Sequence, residues 1–199
     1  MSDRILLFDM GGVLVDLGRP AADMSLPLSE REFWQVWLSS PHVADLETGR
    51  TGAAEFCRRM GESLGLGATG FSTERFAQWR LPLFPGVEDT VADLAARVPL
   101  ALLSNTSPQH WATVSSQTGI FESFSKLFLS FEIGLMKPET EIFEHVLEAL
   151  GVAPERVLFL DDSERNVQAA RALGIDAKQV RGFSEVRDLL ASDFDLPHP

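Results

Sequence analysis

Short, nearly continuous runs of apolar residues recur along the chain and predict five buried strands. The predicted strands span residues 4–8, 100–103, 126–130, 156–160 and 176–180. Their apolar residues do not alternate with polar ones, which is typical of a parallel sheet covered on both faces. Because helical patterns separate the later strands, we expect right-handed crossovers and an open, doubly wound α/β sheet.

The helices predicted after the second strand have clear start or stop signals. A capping serine or a proline in the first turn marks a helix start, and a glycine marks a stop. The signals predict a helix from Ser107 and Pro108, a helix over 139–150 between Pro138 and Gly151, and a helix over 164–173 before Gly174.

The segment between the first and second strands has a different pattern, since residues 17–85 contain no predicted strand. Ser29 and Glu32 have the spacing of a capping box and precede an apolar helical pattern. Further helices are predicted over residues 53–64 and 72–81. We call residues 17–85 the helical insert.

The position of the helical insert predicts how the chain is organised. It follows the first strand directly, so we expect it to cover the carboxyl edge of the sheet, where open α/β folds bind ligands. The core domain would then comprise residues 1–16 and 86–199, with residues 17–85 as a cap over it.

Composition and charge exclude several classes of protein. Of the 199 residues, 45% are hydrophobic and 23% are charged, so the chain is not globally disordered. The formal net charge is −12, and an acidic surface repels nucleic-acid phosphates and anionic lipids. We therefore expect no nucleic-acid partner and no membrane partner. An anionic substrate would need a site with local positive charge or a metal ion.

Cysteine use and hydropathy indicate the compartment. The single cysteine, Cys57, cannot form an intrachain disulfide, which fits a reducing environment. The apolar run at the N-terminus is too short for a signal peptide, and longer runs such as residues 98–103 are too short to span a bilayer. These features predict a soluble cytoplasmic protein.

Polar residues follow the first two predicted strands at the point where each strand ends. Asp9 comes directly before Met10, Gly11 and Gly12, and glycines let backbone approach a ligand closely. An aspartate that caps a turn would have the same pattern. Ser104 and Asn105 follow the second strand beside a helix start, which suits an anion, although ordinary capping would also explain them.

Charged residues lie at two further positions of the same kind. Lys137 precedes the helix predicted at residue 139 and would give an anion site a compact positive charge, although a surface lysine would look the same. Asp161 and Asp162 follow the fourth strand, where adjacent carboxylates are costly without a cation. An N-cap followed by a solvated acid is the alternative. Together with Asp9 they offer the hard oxygen ligands that magnesium prefers.

The order of these residues is more informative than any one of them. Carboxyl ends of parallel strands meet at one edge of a sheet, so all four groups should converge on one crevice. That crevice would combine an anion site, a positive side chain and a metal site.

This arrangement resembles the haloacid dehalogenase (HAD) superfamily over nearly the whole chain. The segment FDMGGVLVD is similar to motif one, LLSNT to motif two, GLMKPE to motif three and FLDDSERN to motif four. The helical insert is similar to the superfamily's C1 cap. The resemblance implies a HAD-like parallel-sheet core with an all-helical cap, and a phosphotransfer enzyme, usually a phosphatase, of a small phosphorylated substrate.

The resemblance also implies a role for each candidate residue. Asp9 would be the nucleophile that forms an aspartyl-phosphate. Ser104 and Lys137 would bind the phosphoryl group, with Asn105 beside them. The implied magnesium ligands are Asp9, Asp162 and the backbone carbonyl of Gly11, with Asp161 assisting.

One position departs from the superfamily's pattern. Its phosphatases usually have a second aspartate two residues after the nucleophile, which protonates the leaving oxygen and later activates water. Gly11 stands at that position. Variants of motif one with glycine there resemble a subset that includes sugar-phosphate phosphatases.

Three interpretations follow from Gly11. The first is a magnesium-dependent phosphatase that proceeds through phospho-Asp9. The second is a 2-haloacid dehalogenase, which needs neither leaving-group protonation nor magnesium, although Asp161 and Asp162 would repel its substrate carboxylate. The third is a catalytically weakened protein that binds a ligand or a partner, against which the retained Asp9 and Lys137 argue. We expect the first.

Other conspicuous residues are expected to be structural. Trp34, Trp37 and Trp79 should pack the helical insert or the core, although one of them could face the substrate. His110 lies outside the four motifs. Asp16 is close to the nucleophile in sequence, but the intervening valines and leucine should carry it away from the reacting atoms.

Overall fold

The computed structural model describes residues 4–194, and residues 1–3 and 195–199 lie outside it. Its elements in chain order are β1 (Ile5–Phe8), α1 (Pro20–Asp23), α2 (Glu30–Ser39), α3 (Pro41–Glu47), α4 (Ala53–Ser63), α5 (Thr73–Phe76), α6 (Val87–Ala95), β2 (Leu100–Ser104), α7 (Pro108–Ser115), β3 (Lys126–Leu129), α8 (Ser130–Ile133), α9 (Thr140–Leu150), β4 (Val157–Asp161), α10 (Glu164–Ala172), β5 (Asp176–Gln179) and α11 (Phe183–Phe194). Short 3-10 turns lie at Ile120–Ser123 and Pro154–Arg156. Across residues 4–194, no helix has the length and apolar character needed to cross a membrane.

The described strands form a parallel sheet in the order β3-β2-β1-β4-β5. Phe8 of β1 is in register with Leu102 on one side and Leu160 on the other, so β1 is the central strand. The chain winds away from β1 in both directions, and its carboxyl end is therefore a topological switch point. The predicted doubly wound α/β fold is confirmed, and each strand ends within one residue of its predicted bounds.

Both faces of the sheet are buried, which explains the continuous apolar runs. Leu6 and Phe8 pack into a core shared with α6, α11 and the helical insert. Leu7, between them, points to the opposite face and packs with residues of α9 and α10 such as Phe143 and Val167. Successive strand residues point to opposite faces, so a sheet covered on both sides needs apolar residues at consecutive positions.

Most of the predicted helix signals are confirmed by the backbone. The hydroxyl of Ser107 accepts the His110 N–H, and Pro108 begins α7. Gly151 and Gly174 follow their helices with φ of 65° and 87°, in the left-handed region where glycine has no steric cost.

The helix predicted over residues 139–150 is confirmed to within one residue, but the prediction that Pro138 belongs to its first turn is wrong. Helix α9 begins at Thr140, with Glu139 as its N-cap. Pro138 instead lies in a turn that is closed by the N–H of Glu139 donating to the carbonyl of Met136 at 3.0 Å. A proline fits such a turn as well as it fits a helix start, so its presence did not distinguish the two.

The helical insert contains the predicted capping box, since the Ser29 hydroxyl accepts the Glu32 N–H and the Glu32 carboxylate accepts the Ser29 N–H. The helix predicted over residues 72–81 is too long, because α5 ends at Phe76. Beyond it the Trp79 indole N–H donates to the Leu17 carbonyl at 2.8 Å, which joins the two ends of the insert. This contact requires the chain to leave the helix.

The turn after α3 brings the helical insert close to the core. Gly49 has a φ of +70°, and a Cβ added there would lie 2.6 Å from the carbonyl oxygen of Phe131 in α8. Only glycine fits both the left-handed conformation and this close approach.

We expect Gly49→Ala to destabilise the protein by about 2–4 kcal/mol, since it combines left-handed strain with overpacking against backbone. Gly65→Ala is the matched control, because Gly65 has a φ of +72° and nothing within 4 Å of an added Cβ. That control should lose only about 1–2 kcal/mol. Urea unfolding of both variants tests this, and equal losses would show that the insert does not press on Phe131.

Candidate active site

Asp9 lies at the carboxyl end of the central strand and has only 7% of its surface exposed. Its backbone N–H continues the ladder by donating to the Leu160 carbonyl at 2.8 Å. Its Oδ1 accepts the Met10 N–H at 2.7 Å and lies 2.8 Å from the ammonium of Lys137. The strand and these two donors fix the carboxylate at the switch point of the sheet.

Lys137 links the ends of three strands through its ammonium group. Besides Asp9 after β1, the ammonium donates to Asp161 Oδ2 at 2.7 Å in β4 and to the Leu103 carbonyl at 2.8 Å in β2. The side chain is buried, with 1% exposure. Burial alone would lower the pKa of Lys137, but the Asp161 and Asp9 carboxylates outweigh it and raise the pKa above its usual range. The two carboxylates therefore favour the charged form of Lys137.

Asn105 positions the loop that contains Lys137 and precedes α9. Its Oδ1 accepts the backbone N–H of Lys137 at 2.9 Å, and its Nδ2 donates to the Lys137 carbonyl at 2.8 Å. One side chain thus satisfies both backbone groups of Lys137 across 32 residues of chain. Ser104, beside it at the end of β2, is 1% exposed and lines the same cavity.

Asp161 is fully buried and is held by neighbours on its own loop and helix. Its Oδ1 accepts the Ser163 N–H at 2.8 Å, and Asn166 Nδ2 donates to both carboxylate oxygens at 2.9 and 3.1 Å. Sequence reasoning assigned no role to Asn166. Its position in the first turn of α10, five residues after Asp161, is the signal that could have identified it.

Three carboxylates meet at this edge of the sheet. Oxygens of Asp9, Asp161 and Asp162 lie within 4.8 Å of one another. Gly12 permits this approach, since its φ is +72° and a Cβ there would lie 2.5 Å from Asp162 Oδ2. The prediction that these three acids converge is confirmed. Gly11, whose backbone carbonyl was the other expected metal ligand, lines the same cavity.

The environment disfavours the charged form of two of these acids. Burial raises the pKa of Asp9 to about 8, and repulsion from Asp161 and Asp162 adds to the effect against the attraction of Lys137. The pKa of Asp162 is also raised, first by burial and then by Asp161. A cation among the three carboxylates would relieve this repulsion.

A cavity of about 520 Å³ lies above these groups. Its polar floor comes from the strand ends, and its opposite wall from the helical insert. The wall contains Trp34, Trp37 and Trp79, which also pack edge to face against Phe33 or one another. The tryptophans therefore pack the insert, as predicted, and also line the cavity.

Two titratable groups of the cavity were not predicted from the sequence. Glu47 in α3 is half-buried, and burial raises its pKa to about 7 although Lys137 pulls the pKa down. His110 in α7 packs 4.7 Å from the rings of Phe76 and Trp79, and burial lowers its pKa to about 4. Neither residue belongs to a sequence motif, and only the packing of the insert on the core brings them to the cavity.

Asp16 lies apart from the cavity, as expected. It is exposed, and its Oδ1 accepts the Gly18 N–H at 2.8 Å. The turn at residues 10–15 buries Val13, Leu14 and Val15 in the core and leaves Asp16 on the outside.

Comparison with known proteins groups the chain with hydrolases. The model of the haloacid dehalogenase-like hydrolases matches residues 4–174. The chain is 30% identical to D-ribitol-5-phosphate phosphatase of Bacteroides thetaiotaomicron, over 93% of its own length and 95% of that protein's. It is 31% identical to (S)-2-haloacid dehalogenase of Pseudomonas sp. strain YL, over 85% of its length and 78% of that protein's.

A solved structure has the same fold. It is a HAD family enzyme from Bacteroides thetaiotaomicron in complex with magnesium and inorganic phosphate. It superposes with a TM-score of 0.74 at 28% sequence identity and covers 89% of this chain and 94% of its own.

We expect Lys137→Met to cost about 3–5 kcal/mol of stability at pH 7, because it leaves the Asp161 carboxylate buried without its cation. The double variant Lys137→Met/Asp161→Asn removes one uncompensated charge and should recover part of that loss. Urea unfolding of both variants measures the difference. If they lose equal stability, the ion pair with Asp161 does not contribute as described.

His110 should make the protein sensitive to acid. Because folding lowers its pKa from 6.5 to about 4, its contribution to stability is complete above pH 6.5 and is lost as the pH falls towards 4. His110→Phe keeps an aromatic ring. It should reduce the slope of the free energy of unfolding against pH by roughly 1.4 kcal/mol per pH unit over this window. His145→Phe, at an exposed histidine of α9, is the control. Parallel curves for wild type and His110→Phe would contradict the prediction.

Proposed function

The chain belongs to the haloacid dehalogenase-like hydrolases, and we propose that it is a magnesium-dependent phosphatase that hydrolyses a small phosphorylated metabolite through a phospho-Asp9 intermediate. The observation that most supports this is the floor of the cavity, where Asp9 lies 2.8 Å from the Lys137 ammonium beside a cluster of carboxylates. A nucleophile, a phosphate-binding cation and metal ligands are the groups that phosphoryl transfer requires.

The donor set fits magnesium. The oxygens of Asp9, Asp161 and Asp162 form a compact hard-ligand cluster, and their mutual repulsion favours a divalent cation. Asp9, Asp162 and the backbone carbonyl of Gly11 would hold the ion, and Asp161 would assist by holding Lys137. When bound, magnesium supplies positive charge that neutralises the phosphate and eases its approach to a carboxylate.

The chain's own residues would perform the transfer. Oδ1 of Asp9 is engaged by Lys137 and Met10, so Oδ2 is the atom that would attack phosphorus. Lys137 and Ser104 would bind the phosphoryl oxygens, and Asn105 would keep Lys137 in place. Positioning and electrostatic stabilisation then supply most of the rate acceleration.

The helical insert would act as a cap. In this proposal residues 1–16 and 86–199 form the core domain, and residues 17–85 close over the cavity to exclude water while Asp9 attacks phosphorus. The contact between Gly49 and Phe131 supports a closed arrangement, because it seats the insert against the core beside the cavity.

The size and lining of the cavity favour a small organic phosphate. About 520 Å³ accommodates a metabolite of a few carbons with its phosphoryl group. The similarity to D-ribitol-5-phosphate phosphatase supports a sugar or polyol phosphate, since the cavity offers polar groups at its floor and aromatic faces opposite.

Dehalogenation of a 2-haloacid is the second candidate, favoured by Gly11 and by the similarity to the Pseudomonas enzyme. The clustered acids argue against it. A haloacid carries its own carboxylate, which three neighbouring carboxylates would repel. Halide release from 2-chloropropionate distinguishes the two reactions directly.

We expect the wild type to release inorganic phosphate from p-nitrophenyl phosphate and from members of a sugar- and polyol-phosphate panel. A chelator should abolish this activity, and Asp9→Asn should lower it about 10³-fold or more, since no other group replaces a missing nucleophile. Asp16→Asn is the matched control and should match the wild type. Halide release without phosphate release, or turnover that survives Asp9→Asn, would refute the proposal.

A further inference from the structure

The proposed phosphatase lacks the usual acid beside its nucleophile, and the structure shows what occupies that space. A Cβ added to Gly11 would lie 3.1 Å from Cδ2 of Leu17, a residue of the helical insert. An apolar side chain therefore fills the direction in which an acid at position 11 would project. An alkyl phosphate still needs a proton on its leaving oxygen, because an alkoxide is a poor leaving group.

Asp9 and Asp162 line the cavity too, but the proposed function assigns them to the nucleophile and the metal ligands, and the cations and the histidine of the cavity do not meet this need. The Lys137 ammonium already donates to Asp9, Asp161 and the Leu103 carbonyl. His110 stays neutral at physiological pH, since burial lowers its pKa to about 4. The guanidinium of Arg165 does not give up its proton in proteins.

Glu47 differs from these groups in both position and freedom. Ser40, Val43, Ala44 and Glu47 all line the cavity, and their spacing places them on one face of α3. Among the side chains described for residues 4–191, none forms a hydrogen bond or an ion pair with the Glu47 carboxyl. It lines the same cavity as Asp9 and Lys137 and is close enough to Lys137 for that charge to lower its pKa.

We propose that Glu47 is the general acid and general base of this enzyme, supplied by the helical insert in place of the absent acid at position 11. The inference rests on the proposed function. When Oδ2 of Asp9 attacks phosphorus, the bond to the ester oxygen breaks, and that oxygen takes the proton of the Glu47 carboxyl and leaves as an alcohol. The Glu47 carboxylate then takes a proton from the attacking water. The bond between phosphorus and Asp9 breaks, inorganic phosphate forms, and both carboxyls return to their starting states.

The charge environment is suitable for this exchange. Burial raises the pKa of Glu47 to about 7, against the attraction of Lys137, and a catalytic group is most effective when its pKa lies near the working pH. The other groups that face the cavity are the acids Asp9 and Asp162, the cation Arg165 and the neutral His110. On the other sides of α3, Asp45 lies 3.9 Å from Arg59 of α4, and α8 contributes the exposed Glu132.

The test compares leaving groups in Glu47→Gln. An alkyl phosphate such as ribitol 5-phosphate needs a proton on its leaving oxygen, whereas p-nitrophenyl phosphate does not. With p-nitrophenyl phosphate we expect a burst of one p-nitrophenolate per active site at nearly the wild-type rate, followed by slow turnover as phospho-Asp9 waits for an activated water. With the alkyl phosphate we expect no burst and a kcat about 10²–10⁴-fold below wild type.

Two further variants and a pH profile separate catalysis from structure. Glu47→Asp should recover part of the alkyl-phosphate activity, and Asp45→Asn, at the neighbouring acid of the same helix, should match the wild type. In the wild type, kcat/KM for the alkyl phosphate should fall as the pH rises above about 7, and this decrease should disappear in Glu47→Gln.

Protein stability provides a readout that does not depend on turnover. Since folding raises the pKa of Glu47 from 4.5 to about 7, the folded protein retains a proton that the unfolded chain has lost, and stability from this group falls as the pH rises through that window. Glu47→Gln should remove this decrease and should be at least as stable as wild type above pH 7.

The outcomes separate the two proposals. A higher KM for both substrates, with no burst and an unchanged pH profile, would make Glu47 a substrate-binding residue and overturn the inference alone. Turnover of p-nitrophenyl phosphate that still requires Asp9 would then leave the proposed function intact. A wild type that hydrolyses neither phosphate would overturn the proposed function and the inference together.

Discussion

The ammonium of Lys137, buried between two carboxylates, is the interaction on which the site depends. Removing such charges from water is expensive, and only close partners with good geometry compensate for that cost. Here the partners are Asp9 at 2.8 Å, Asp161 at 2.7 Å and the Leu103 carbonyl at 2.8 Å. They belong to the ends of β1, β4 and β2, so one cation joins three central strands to the loop that precedes α9. Asn105 completes the arrangement by holding both backbone groups of Lys137.

This network also leaves an excess of negative charge at the cavity floor, which the proposed reaction would use to bind a metal ion. One ammonium faces three clustered carboxylates, and the excess negative charge raises the pKa of Asp9 and Asp162. A carboxylate in this state needs an additional cation before it can approach an anionic phosphate. The carboxylates of the cavity floor thus have more negative charge than Lys137 balances, and the proposed metal ion would compensate for the excess.

The helical insert contributes a wall of opposite character. Its aromatic residues form a packed layer around Trp37 and Trp79, and Leu17 occupies the space beside Gly11. The same insert places Glu47 in the lining of the cavity that also contains Lys137. In the proposed reaction, the sheet edge would orient the reacting groups, while the helical insert would exclude water and face the leaving group.

Local patterns in the sequence determined the strands and the positions of the polar residues at their carboxyl ends. They also determined that Asp9, Lys137, Asp161 and Asp162 converge. These features depend on side-chain periodicity and on the rule that parallel strands end at one edge, both of which are visible along the chain. Only the tertiary structure decided where α5 ends, that Asn105 holds a loop, and that Glu47 reaches the cavity. These depend on contacts between residues far apart in sequence, such as Trp79 with Leu17 and the insert with the core, and no local pattern specifies such contacts.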